Sequence, residues 1–126
     1  MVKDLLYVAI GGAIGSILRY LVSIMVKCSS TGFPWATFIV NILGCLLIGL
    51  LYGLTTRFPN TSQHLMLFLT VGLCGGFTTF STFSLEAFNL FDNKQYAAGS
   101  IYVILSCGCC IIGILCGKKI ASVIKL

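Results

Sequence analysis

The segment Gly75-Gly76-Phe77-Thr78-Thr79-Phe80-Ser81-Thr82-Phe83-Ser84-Leu85-Glu86 decides the fold of this chain. It lies in a hydrophobic run, residues 65–85, that is long enough to enter a membrane, yet it carries two adjacent glycines, five hydroxyls and a carboxylate. A backbone that leaves the helix in hydrocarbon must bury its polar groups in protein or in a wet cavity, because each unsatisfied group costs several kcal/mol. We therefore predict a helix break here that faces a partner or a pathway.

The composition of the whole chain indicates an integral membrane protein. Its 126 residues are 58% hydrophobic and 9% charged, and the mean hydropathy is +1.05, which a domain with a water-facing surface could hardly reach. Spanning a hydrocarbon core takes about 20 apolar residues as helix. Four such windows occur, at about 5–26, 35–56, 64–91 and 96–117. We predict one all-α transmembrane domain, residues 1–126, whose third helix is broken mid-membrane.

The charged residues and the cysteines give little support to nucleic-acid or metal-cluster functions. The net charge is +5, but Lys and Arg sit near the ends of the apolar runs, as topology determinants and lipid headgroup contacts do. We therefore expect contact with membrane lipid and no nucleic-acid partner. All cysteines except Cys28 lie within apolar runs, and no C-x-x-C pair is followed by a His or Cys at ligand spacing. We interpret them as small buried helix residues.

The first span combines a close-packing pattern with one charged residue. Gly11 and Gly15, together with Gly12 and Ser16, form overlapping small-x-x-x-small pairs, which let another helix approach closely in lipid. Arg19 lies about two turns from the end of this span. Its side chain either snorkels outward along its own stem or turns into a wet vestibule, where it would concentrate anions.

The second span carries a polar face, because Thr37, Asn41 and Cys45 recur every four residues. A carboxamide deep in a span needs hydrogen-bond partners, and it supplies two N–H donors without a net charge that would trap an ion. Asn41 therefore either lines a pathway or makes an interhelical hydrogen bond that fastens the bundle.

Beyond the break, a helix would present aromatic rings and hydroxyls on one wall. Ring edges carry partial positive charge and hydroxyls donate hydrogen bonds, so such a wall suits a small anion and binds it less deeply than Lys or Arg would. The alternative for the phenylalanines is plain core packing. The wall consists of Thr79, Thr82, Phe83 and Glu86, flanked by Phe80 and Ser84, and Tyr102, Ser106 and Cys110 form a possible second one in the fourth span.

These residues resemble those of the small fluoride channels of the Fluc or CrcB family. The resemblance covers nearly the whole chain and is most specific over residues 75–83; residues 11–20 and Asn41 followed by Gly44 support it. It implies an antiparallel, dual-topology homodimer in the bacterial cytoplasmic (inner) membrane. Two pores at the subunit interface would pass fluoride passively out of the cytoplasm.

The resemblance also implies roles for individual residues. Phe80 and Phe83 would be the pore-facing aromatics, and Asn41 the pore amide. A structural sodium ion at the dimer centre would be held by the backbone carbonyls of Gly75 and Thr78, since carbonyl oxygens suit a hard cation. The polar track beside the aromatics would consist of Ser81, Thr82, Thr37, Glu86, Tyr102 and Ser106, with Cys110 where a hydroxyl is expected.

Two other functions compete with an anion channel. A small proton-coupled multidrug exporter would use Glu86, the only acid within a span, although that family carries its carboxylate in the first helix, where this chain has none. A membrane scaffold without transport would leave the polar wall without a purpose. An enzyme is not expected, because the sequence offers no nucleophile–base pair or metal cluster.

The distribution of positive charge bears on the membrane orientation. Lys3, Arg57, Lys118, Lys119 and Lys125 lie on the side of both termini, against Lys27 and Lys94 on the other. The positive-inside rule places both termini in the cytoplasm. Dual insertion predicts a weaker bias than this one.

Overall fold

The computed structural model describes residues 1–26 and 32–124. Helices α1 (Val2–Met25) and α2 (Trp35–Arg57) and the segments Gln63–Asp92 and Tyr96–Val123 are long and apolar enough to cross a membrane. Four membrane-capable helices are therefore confirmed. Lys27, Cys28, Lys125 and part of the polar connection predicted at residues 28–34 lie outside the described residues.

The segment Gln63–Asp92, called the third crossing below, is not one continuous α-helix. It consists of α3 (Gln63–Leu67), a π-helical stretch (Phe68–Cys74), α4 (Gly75–Phe77) and α5 (Phe80–Asp92). A short turn then leads into α6 (Tyr96–Val123). The predicted break in the third span is confirmed.

Within the segment that predicts it, the break lies at the two threonines and not at the glycine pair. Thr78 and Thr79 are extended, with φ and ψ of −84° and 157° and of −152° and 122°, whereas Gly75 keeps the α-helical values −62° and −38°. The Thr78 hydroxyl donates to the Cys74 carbonyl at 2.9 Å. The Thr79 hydroxyl accepts from the backbone N–H of Thr82 at 3.2 Å and so caps α5.

The π-helical stretch before the break has no counterpart in the sequence-based prediction. The Thr70 hydroxyl donates to the Met66 carbonyl at 2.7 Å, which competes with the backbone donors of this turn. A π-helix adds one residue to a turn and so rotates the following residues around the helix axis. The stretch therefore helps to set which face of Gly75–Phe77 meets α1.

Glycines bring α1 against the first half of the third crossing. A Cβ at Gly11 would collide with the Phe68 carbonyl oxygen, and one at Gly15 with that of Leu73. From the opposite side, a Cβ at Gly76 would lie 3.1 Å from the Gly12 Cα. The close-packing role predicted for the small residues of α1 is confirmed.

The remaining helices form a second group. Helix α2 packs most extensively on α6, and a Cβ at Gly49 or Gly117 would collide with the carbonyl of Ile114 or Leu46 on the facing helix. Helix α5 packs against α6 through a cluster that includes Phe83 and Leu90. The break thus lies where the third crossing leaves α1 and joins α2 and α6.

Candidate functional site

The side chain of Asn41 holds the backbone of the break from both sides. Its Oδ1 accepts from the N–H of Thr79 at 2.9 Å, and its Nδ2 donates to the Thr79 carbonyl at 3.1 Å. One amide therefore satisfies both backbone groups that Thr79 loses on leaving the helix. Asn41 does act as an interhelical fastener, and because a carboxamide has two N–H donors, one remains for another ligand.

Arg19 also reaches the break. Its Nε donates to the Gly76 carbonyl at 3.1 Å, at the C-terminal end of the short helix α4. A cation at this end of a helix is electrostatically favourable. The Arg19 side chain thus turns inward. Snorkelling would require it to extend along its own helix toward the membrane surface.

Two cavities meet at the break, one on each side of Thr79. The first, about 250 Å³, is called the aromatic cavity below because Phe80 and Phe83 line it together with Asn41 and Ser106. The second, about 310 Å³, is called the arginine cavity. It is lined by Arg19, Thr37, Thr79, Thr82, Ser16, Tyr20, Ser23, Ala36 and Val40.

The two phenylalanines have different surroundings. Phe83 is 8% exposed and packs on the Tyr102 ring, with the centroids 5.0 Å apart. Phe80, whose ring centroid lies 5.6 Å from that of Phe83, is 78% exposed. Phe83 is therefore in part a core residue, whereas Phe80 is not packed in a core.

Two hydroxyls of α6 are buried in this region without a partner. Tyr102 is 0% and Ser106 5% exposed, and within the described residues neither hydroxyl makes a hydrogen bond. The Tyr102 hydroxyl lies near Glu86 and comes close to the Thr37 side chain without reaching hydrogen-bond geometry. Buried hydroxyls are usually hydrogen-bonded, so the two unpaired hydroxyls need an explanation.

The remaining predicted track residues lie close to this pair. The Thr37 hydroxyl donates to Glu86 Oε1 at 2.5 Å, which joins α2 to α5. Ser81 is exposed, and its hydroxyl lies 3.3 Å from that of Thr79. Three track residues line neither the aromatic nor the arginine cavity: Ser81, Glu86 and Tyr102.

Backbone oxygens at the break could hold a hard cation. In a continuous helix, Gly75 and Thr78 would accept from the N–H groups of Thr79 and Thr82. Those N–H groups donate instead to Asn41 Oδ1 and to the Thr79 hydroxyl. The two carbonyls named in the sequence analysis have therefore lost their usual helical donors, which fits the sodium site that the resemblance implies.

Three cysteines line the aromatic cavity beside Asn41 and Phe83: Cys45, Cys107 and Cys110. The sequence places Cys45 on the face of Thr37 and Asn41 and Cys110 on the face of Tyr102 and Ser106. Sequence reasoning missed only Cys107, which is exposed and which we interpret there as a buried packing residue. No group of three or more His, Cys, Asp or Glu side chains within residues 1–26 and 32–124 could hold a metal ion.

Comparisons with known proteins agree with the sequence pattern. The model of the family described as CrcB-like protein, Camphor Resistance (CrcB), matches residues 6–118. A protein of Phocaeicola vulgatus named fluoride-specific ion channel FluC is 48% identical over 116 residues, which cover 91% of this chain and 95% of the relative. The proteins of that name from Flavobacterium psychrophilum and Ruminiclostridium cellulolyticum are both 47% identical, over 82% and 93% of this chain and 85% and 91% of theirs.

Proposed function

The chain belongs to the CrcB-like protein family, and from this premise we propose that it is a fluoride-specific channel that lets fluoride leave the cytoplasm passively. It is a multi-pass protein of the bacterial inner membrane, and the family consists of ion channels, not enzymes. The multidrug exporter based on Glu86 finds no support among these relatives.

The two buried, unpartnered hydroxyls carry the mechanistic part of the proposal. An anion that enters a narrow pathway must exchange water for protein donors, and Tyr102 and Ser106 offer O–H groups that no protein acceptor occupies within the described residues. An unsatisfied buried hydroxyl is costly, so donation to a small anion recovers free energy. Fluoride would pass these donors and the free N–H of Asn41, with Phe83 turned edge-on to it.

The exposure of Phe80 supports a second subunit. The Phe80 ring, on the first residue of α5 after the break, is 78% exposed and borders the aromatic cavity. In an antiparallel homodimer, each pore would take Phe80 and Phe83 at the interface and would continue along Ser81, Thr82, Thr37 and Glu86. The excess of Lys and Arg on the side of the termini favours one membrane orientation. Dual insertion therefore requires that this excess has little effect on the orientation.

Arg19 and the sodium site complete the proposal. The arginine cavity would act as an electropositive vestibule, in which the guanidinium is fixed by Gly76 and raises the local fluoride concentration. Carbonyls of Gly75 and Thr78 from both subunits would hold one sodium ion at the two-fold axis. A bound cation there would supply positive charge that offsets the carbonyl dipoles where the two breaks meet.

Substitution of the exposed ring tests the proposal. Liposomes loaded with potassium fluoride and treated with valinomycin would be followed with a fluoride electrode, and chloride-loaded vesicles would be run in parallel. Phe80→Ile is expected to abolish fluoride efflux and to leave assembly on gel filtration unchanged, because only the edge-on contact with the anion is lost.

Phe88→Ile is the matched control, because Phe88 lies on the same helix, is also exposed and lines neither cavity. It should conduct as the unmodified protein does. Unchanged flux in Phe80→Ile would defeat the assigned role of the ring, and absence of fluoride flux in the unmodified protein would defeat the function itself.

A further inference from the structure

Three thiols converge on the aromatic cavity. Cys45 of α2 and Cys107 and Cys110 of α6 line it, and all three are free. The cavity, about 250 Å³, is several times the roughly 30 Å³ that a water occupies in the liquid. It therefore has room for an ion that the thiols would bind.

Cys45 and Cys110 lie on the facing sides of α2 and α6, the two helices that pack most extensively on each other. A Cβ at Gly113 would lie 3.6 Å from the Cys45 Cβ, and Cys110 is one turn before Gly113 on the same face of α6. The two thiols thus lie on facing helices and line the same cavity. Because glycines fix the spacing of α2 and α6, this pair is held in place before any ligand arrives.

The chemistry of the lining selects a soft ion. Thiolates prefer soft metals such as Cu(I), and the lining of the aromatic cavity includes no Asp, Glu or His among the described residues. A structural zinc site takes four ligands, and within the described residues no three His, Cys, Asp or Glu side chains are placed so that they could hold one metal ion together. We propose that Cys45 and Cys110 form a two-coordinate site for a soft monovalent cation of the Cu(I) and Ag(I) class.

Occupation of this site closes the fluoride pathway. The cation forms two metal–sulfur bonds and each thiol releases its proton to water, so a neutral pair of thiols becomes a complex with one negative charge. That charge sits in the cavity that Asn41 and Phe83 line, where it repels fluoride and fills the space. This consequence rests on the proposed function, whereas binding of the metal does not.

Silver nitrate is the probe for binding, since Ag(I) is soft and is not oxidised in air. Purified protein in detergent would be treated with silver, washed with an excess of a monothiol and analysed for silver by mass spectrometry. One silver ion per chain is expected to survive the wash, because a chelating pair outcompetes a monothiol while an isolated cysteine does not. Loss of all silver from the unmodified protein would overturn the proposal.

Three variants locate the silver. Cys45→Ser and Cys110→Ser should each lose the retained ion, whereas Cys116→Ser should keep it, because Cys116 is exposed and does not line the aromatic cavity. Gel filtration of each variant shows that it is folded. Retention of silver by a folded Cys45→Ser or Cys110→Ser protein would place the metal elsewhere and overturn the assignment.

Fluoride efflux from proteoliposomes in nitrate medium tests the block. Each variant is compared with itself with and without silver, so their basal rates need not agree. Silver should reduce efflux at least tenfold in the unmodified protein and in Cys116→Ser, and should leave Cys45→Ser unaffected. Equal inhibition of all three would overturn the block, while absence of flux before silver is added would count against the proposed function alone.

Discussion

Residues 68–77 of the third crossing contact α1 mainly through backbone, whereas α5 (Phe80–Asp92) meets α2 and α6 through side chains. On the first side, Gly72 and Gly76 approach Gly11 and Gly12 so closely that a Cβ would meet their main-chain atoms at 2.5–3.2 Å. On the second side, Phe83 packs on Tyr102 and Glu86 bonds to Thr37. One membrane crossing is thus built by two different means.

The difference separates support from chemistry. A contact made of glycine backbones has no side chain to vary, so this contact serves to fix the position of the break. The second half carries the hydroxyls, the carboxylate and the rings. Asn41 joins the two, because it binds both backbone groups of Thr79 at the point where they meet. Substitutions on the two sides should therefore fail in different ways.

The largest effect is expected from a side chain added to the backbone contact. Gly15→Ala places a methyl group against the Leu73 carbonyl oxygen and 2.8 Å from the Phe77 nitrogen. Main-chain atoms cannot move aside as a side chain can, so the cost should exceed the ~1–3 kcal/mol of ordinary overpacking. No monodisperse protein should be recovered on gel filtration.

Gly12→Ala, in the same helix, is the control for this substitution. Its Cβ would lie 4.0 Å from the nearest atom, the Gly72 carbonyl oxygen, which is an ordinary contact. That variant should elute and melt as the unmodified protein does. A well-folded Gly15→Ala protein would show that the first half is not held by its backbone contact.

The next largest effect should follow removal of the clamp at the break. Asn41→Ala leaves the N–H and the carbonyl of Thr79 without partners, at about 1–3 kcal/mol for each buried group, and so should lower the thermal midpoint in detergent strongly. Asn41→Asp keeps the acceptor for the Thr79 N–H and loses the donor to the Thr79 carbonyl. Its thermal midpoint should therefore lie between those of Asn41→Ala and the unmodified protein. Equal midpoints for Asn41→Ala and the unmodified protein would contradict the clamp.

How far the sequence predicts this arrangement depends on which side of the break is considered. The spacing of Gly11 and Gly15 predicts a close contact because small residues one turn apart share a helix face, and the structure confirms it. The run Gly75-Gly76-Phe77-Thr78-Thr79 correctly indicates a break, which lies at its last two residues. Gly76 is required by the approach of Gly12, and the departure from the helix occurs at the β-branched Thr78 and Thr79.

The polar side was less predictable because its partners are distant in sequence. The four-residue period of Thr37, Asn41 and Cys45 indicates a polar face, but only the fold brings Thr79 opposite Asn41 and Glu86 opposite Thr37. The Tyr102 and Ser106 hydroxyls were expected on one face, and nothing in the sequence reveals that they lack acceptors. The π-helical stretch carries no sequence pattern that predicts it.

A smaller effect is expected at the cap of α5. Thr79→Ala removes the hydroxyl that accepts from the Thr82 N–H and should cost about 0.5–2 kcal/mol, while the backbone contacts to Asn41 remain. Thr79→Ser should retain most of the stability, because its hydroxyl can cap in the same way. Thermal midpoints of the three proteins measure this, and a Thr79→Ser protein as unstable as Thr79→Ala would show that the methyl group, not the cap, matters.

The smallest effect on stability, with a large effect on transport, is expected for Tyr102→Phe. The variant keeps the ring contacts with Phe83 and Phe33 at 5.0 and 5.4 Å and removes only a buried hydroxyl without a partner. Its thermal midpoint should stay the same or rise slightly, since an unsatisfied polar group is lost. Fluoride efflux should fall about tenfold or more, because a hydrogen bond to a charged group contributes roughly 1.5–3 kcal/mol.

Tyr96→Phe, at the exposed start of α6, is the control and should change neither the thermal midpoint nor the fluoride efflux. A loss of stability in Tyr102→Phe would mean that the hydroxyl has a protein partner. Normal fluoride efflux in this variant would mean that Tyr102 does not belong to the pathway. The two measurements therefore separate a structural role of this one oxygen atom from a role in transport.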